Sequence, residues 1–150
     1  MKKGTPNFSS GSRLLEVLRF SACYFGIVFG CGFVLGPVRV LLLEPHLGTR
    51  WAELVEMPLM LTLIVLAARW LTRRQTQHWT SGHRLAAGLL SMIAVLSADT
   101  LVGTLLRGMS MAEVFTARDP VSGTAYYLTV LMFGIAPWWT GRKLSSYRSP

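Results

Sequence analysis

Charge is scarce in this chain. Of its 150 residues only 15% are charged and 51% are hydrophobic, whereas a soluble domain carries about a quarter charged residues. Acidic residues are the scarcest, seven against fifteen lysines and arginines, which leaves a formal net charge of +8. A basic balance can indicate a nucleic-acid partner. Here the basic residues sit at the ends of long apolar runs, not on one helix face or among aromatics, so no nucleic-acid partner is expected. Cysteine is nearly absent. Cys23 and Cys31 lie in one apolar run, and eight residues of helix would separate them by about 12 Å, too far for a disulfide. No CxxC is present, which argues against thiol oxidoreduction. The chain also lacks a nucleophile–base pair, a metal-ligand cluster and a phosphate-binding loop. No catalytic residue, cofactor or metal is therefore predicted, and the chain does not read as an enzyme.

What the chain has in abundance is long apolar runs. Residues 1–12 are polar and rich in small residues, and read as a disordered tail. Residues 13–143 read as one all-α domain of four membrane-crossing helices in a bundle, with spans at about 20–43, 51–71, 85–106 and 124–140. Residues 144–150 form a C-terminal tail. The first run holds about 24 residues, or about 36 Å of helix, enough for a hydrocarbon core of roughly 30 Å. A basic flank before it raises the question of a signal peptide, but the run continues well past Cys31 with no A-x-A-like site. A second span starting at Pro58 would be only about 21 Å long, so it must start near Trp51, with Pro58 inside it as a tolerated kink. Pro37 is expected to kink the first helix just before Arg39.

Small residues repeat along the first span at Gly26, Gly30, Gly32 and Gly36. In lipid such residues let helix backbones approach. They predict either a face for a second copy or a membrane-protein partner, or packing against the chain's own helices; the latter is the simpler reading. Between the spans, Glu44–Gly48 reads as a turn. His78 and His83 sit in a basic loop, where a spacing of five suits solvated or headgroup-facing side chains better than a metal. Ser110-Met111-Ala112-Glu113 fits a capping box, so residues 107–119 predict a short interfacial helix. Lysine and arginine concentrate in the N-terminal tail, the 72–84 loop and the C-terminal tail. All four spans then agree on both termini being cytoplasmic.

A few charges remain at depths where charges are costly. Arg39, Glu56 and Asp99 fall about 7 to 12 Å inside their span ends, with Glu53 and Arg107 nearby. Such groups usually face the interior and pair. Arg39 with Glu56 is the natural first pair; Arg39 with Asp99, or Arg107 with Glu53, would complete a buried polar layer. That layer reads as structural, or as an ion, proton or solute pathway in which Asp99 and Glu56 are the working acids. The segments FVLGPVRVLLLEPHLGTRWAELVEMPLML, AARW and ARDPVSGTAYY resemble a family of small bacterial four-span inner-membrane proteins of unknown function. The resemblance implies a multi-pass location in the bacterial inner membrane, with the lipid bilayer as the surrounding partner. It implies no activity, cofactor or catalytic residue.

Overall fold

A computed structural model describes residues 10–75, 79–116 and 120–146. These residues form α1 (Ser10–Val38), a π-helical turn (Arg39–Leu43), α2 (Glu44–Arg74), α3 (Ser81–Arg107), α4 (Met111–Thr116) and α5 (Pro120–Ser146), with no strand among them. The first expected apolar run falls on α1 and the π turn together, and the other three fall within α2, α3 and α5. Helix α1 already starts at Ser10, inside the segment expected as a tail. Residues 1–9 and 147–150, the rest of the expected tails, lie outside the described residues, as does His78.

Two helical stretches, Gly11–Arg74 and Ser81–Leu105, are long and apolar enough to cross a membrane. The first comprises α1, the π turn and α2, which reverse at Gly48. In these stretches only 6% and 17% of the most apolar window is buried. The central helix of a soluble protein would hide that surface; these helices leave it facing outward, as lipid-exposed helices do.

The reversal departs from the expected turn over residues 44–48. Helix continues through Leu47, and the chain breaks at Gly48 alone, with φ 76° and ψ 160°. That conformation is open to glycine and penalised for residues with a β-carbon. The expected disturbance after Pro37 takes a specific form. Pro37 has no N–H to donate to the turn before it, and the helix widens into a π turn immediately afterwards, closed by the Glu44 N–H donating to the Arg39 carbonyl. Single π turns are often found at functional sites.

Around the bundle the order is α1, α2, α5, α3, because α1 packs on α2 and α3 and α5 packs on the same two helices. Helices α1 and α5 therefore face each other across a diagonal, and Tyr24 bridges it. Its ring stacks on Phe133 at a centroid distance of 4.4 Å. Its hydroxyl reaches the Phe133 carbonyl at 3.2 Å and the Ile64 carbonyl of α2 at 3.5 Å. Tyr24 is fully buried, within a core of Phe20, Val28, Ile64, Ala68 and Ala136. A buried hydroxyl must find acceptors, and here those acceptors belong to two other helices, so the bond fixes three helices at once.

Polar contacts also join α1 to α3. Ser21 donates to the Ala87 carbonyl at 3.0 Å, and Ser91 donates to the Ser21 carbonyl at 3.2 Å. Closest approach occurs between α3 and α5, where a β-carbon on Gly88 would collide with the Gly134 carbonyl. Small residues thus pack the bundle on α3 and α5. On α1, by contrast, Gly26, Gly30 and Gly36 face open space, and only Gly32 meets the bundle, with a β-carbon there lying 3.3 Å from Met60 Cε. The simpler expectation, internal packing of the α1 glycines, holds for Gly32 and fails for the other three.

Helix α4 is the short helix expected within the 107–119 connection, and its capping box forms. The Ser110 N–H donates to Glu113 Oε2 at 2.7 Å and the Glu113 N–H donates to Ser110 Oγ at 3.3 Å. Val114 is buried against Gly103 of α3, where a β-carbon would lie 2.6 Å from Val114 Cγ2. Met111, one turn earlier on α4, is exposed. The Ser110 N–H and hydroxyl hold the exposed Glu113 carboxyl below the ordinary carboxylate range. A depressed acid favours the folded state above its unfolded pKa and loses that contribution as pH falls through its folded one. Acidification below about pH 4.3 is thus predicted to fray α4, read as faster amide exchange at Val114 and Phe115. In Glu113→Gln, whose amide oxygen still accepts from Ser110, the exchange should not change over that range.

Candidate functional site

Arg39 is the organising residue of the polar region. It leads the π turn, and that turn decides what it meets. In an α-helix, residues five apart point in different directions; in a π turn they stack, so Arg39 and Glu44 come together, with Nε 3.4 Å from Oε1. Across the Gly48 reversal, α2 presents Glu53 and Glu56. Arg39 Nη1 donates to Glu56 Oε2 at 2.9 Å and lies 3.8 Å from Glu53 Oε1. The four side chains are 13–23% exposed, so they are largely removed from solvent. One guanidinium serves three carboxylates, with a hydrogen bond to only one of them.

The expected first pair, Arg39 with Glu56, is present. The expected completion of the layer takes another form. Glu53 lies beside Arg39; its expected partner Arg107 has a side chain outside the described residues. Asp99 does not pair with Arg39; it accepts a hydrogen bond from the Tyr126 hydroxyl of α5. Nothing in the spacing of Tyr126 shows that it meets an acid 27 residues earlier. Glu44 is likewise a participant, though the sequence placed it in a turn outside the layer. Among the described side chains the polar layer thus comprises two clusters, Arg39–Glu44–Glu53–Glu56 and Asp99–Tyr126.

Between the clusters lies a cavity of about 660 Å³, lined by both and by α1, α2, α3 and α5. Most of its wall is apolar. Its inner end is closed by Val28, Ile64 and Phe133, the residues packed about Tyr24. Gly32 and Gly36 line its α1 side; a β-carbon on Gly36 would meet nothing, whereas Gly32 also packs against Met60 of α2. The described residues contain no group of three or more histidine, cysteine or acidic side chains placed to hold a metal ion.

Removing one partner of a largely buried ion pair leaves a stranded charge, at a cost of about 3–5 kcal/mol, whereas apolar replacement of a whole cluster is often neutral. Arg39→Met strands three carboxylates and is predicted to lower thermal stability in detergent sharply. Adding Glu56→Met alone should restore part of it, and Glu53→Gln in addition should restore most. Equal melting of wild type and Arg39→Met would show that the cluster holds nothing together. In comparisons with known proteins, no family model, curated protein or solved structure matches this chain.

Proposed function

We propose that this chain is a four-span protein of the bacterial inner membrane with both termini cytoplasmic, and that it works as a non-enzymatic accessory or scaffold component. The single observation that carries this reading is the setting of Arg39. Its charge is spent on carboxylates from both sides of the Gly48 reversal, so the layer fastens the α1–α2 hairpin. Lysine and arginine placement supports the orientation. The open space above Gly26 and Gly30 supplies a face for another helix, from a second copy or a membrane-protein partner. A Gly30→Leu variant tests this. It should keep the melting temperature of the wild type, since the new side chain meets nothing in the bundle, and should lower the mass of the assembly measured by light scattering in mild detergent. An unchanged mass, with wild type itself monomeric and without a partner, would remove the scaffold reading.

A second reading draws on the cavity: Glu56 and Asp99 line the same space, as the acids of a small oligomeric transporter or proton pathway would. In proteoliposomes held at a potassium-driven potential, the scaffold reading predicts no protein-dependent proton flux. A flux that Asp99→Asn abolishes would favour the pathway reading instead.

A further inference from the structure

The cavity has the build of a ligand site. Its volume of about 660 Å³ lies within the range of roughly 300–1,000 Å³ typical of small-molecule pockets, whose walls are mainly apolar with a few placed polar groups. The polar groups are unevenly distributed. Val28, Phe29 and Phe133 form one end and Arg39, Glu53 and Glu56 the other. Along α1 the distance from Val28 to Arg39 is about 16 Å. The space is therefore long, apolar for most of its length, and charged at one end.

The sign of that end can be counted. Of the residues that line the cavity, Arg39 contributes +1 and Glu53, Glu56 and Asp99 contribute −3, a formal balance of −2. Glu56 takes the one hydrogen bond, at 2.9 Å; Glu53 stays at 3.8 Å and Glu44 at 3.4 Å. Glu53 also lines the cavity, so it presents an incompletely satisfied carboxylate to whatever enters. An anionic head would meet a guanidinium already held by Glu56 and would face two further acids. A bare metal ion would suit the acids but not the apolar length.

From this charge complementarity we infer that the cavity binds an amphiphile with a cationic head, a lipophilic amine, with its ammonium beside Glu53 and its tail running between α1 and α5 toward Tyr24. Arg39 and Glu56 stay paired as the structural lock, and Glu53 is the residue that selects the head. The α1 glycines fit this role. Gly32 and Gly36 sit along the tail's path, where larger side chains would fill the space.

The test uses the full-length protein in neutral maltoside micelles and dodecylamine carrying a diazirine at its tail. Photolysis should place the label on α1 between Val28 and Phe33 and on α5 near Phe133. Unlabelled dodecylamine should displace it about tenfold better than dodecanol or dodecanoate, which share its tail, since a carboxylate near 4 Å in a poorly solvated site favours a cation strongly. Glu53→Gln should abolish that preference while leaving the labelled positions unchanged, and Glu53→Asp should retain it. Equal displacement by the amine and the alcohol, a preference for the acid, or label scattered over the outer faces of α1 and α2 would each overturn the inference. The competition series on wild type decides it even if a variant fails to fold. None of these outcomes depends on whether the protein assembles with a partner, so failure here is distinct from failure of the scaffold reading.

Discussion

An arginine set among apolar helices must be paired, because the surroundings offer it too little water. That constraint shapes the whole Arg39 end of this bundle. The π turn after Pro37 swings Glu44 round to Arg39, and the reversal at Gly48 brings Glu53 and Glu56 back to the same guanidinium. Each piece is local and each depends on the others. Without the π turn, Glu44 would point elsewhere; without the glycine reversal, α2 would not return along α1 with its acids inward.

At the other end the governing problem is different. Few large side chains are fully buried, so the helices are located by specific contacts more than by bulk. Tyr24 spans the α1–α5 diagonal and donates to carbonyls on two helices. Ser21 and Ser91 tie α1 to α3, and Gly88 lets α3 and α5 touch backbone to backbone. The cavity is what remains between these two anchored ends. Small residues on α1 and the divergence of the polar clusters keep it open, and its polarity follows from which end holds the acids.

The α1 glycines show how one sequence feature serves two purposes. A four-residue spacing of small residues signals close helix approach, yet it does not say what approaches. Gly32 and Gly36 line the cavity, whereas Gly26 and Gly30 face outward to open space. Meanwhile the tightest glycine contact in the bundle, Gly88 with Gly134, joins two helices whose small residues were less regularly spaced in the sequence.

Apolar run length determined from sequence alone that the chain is all-helical and built of long apolar segments, since backbone groups in an apolar setting must be satisfied within the helix. Depth arithmetic was enough to pair Arg39 with Glu56, because the two lie at similar distances from one turn. Partners remote in sequence were beyond it. Tyr126 with Asp99, Tyr24 with Ile64 and Phe133, and the order of helices around the bundle depend on how helix faces rotate against one another. Apolar residues surround each span almost evenly, so periodicity carries little information about rotation. Tertiary structure alone decided that the polar layer divides into two clusters with a cavity between them. The reason is physical: a buried acid takes the nearest good donor, and which donor is nearest is a property of packing.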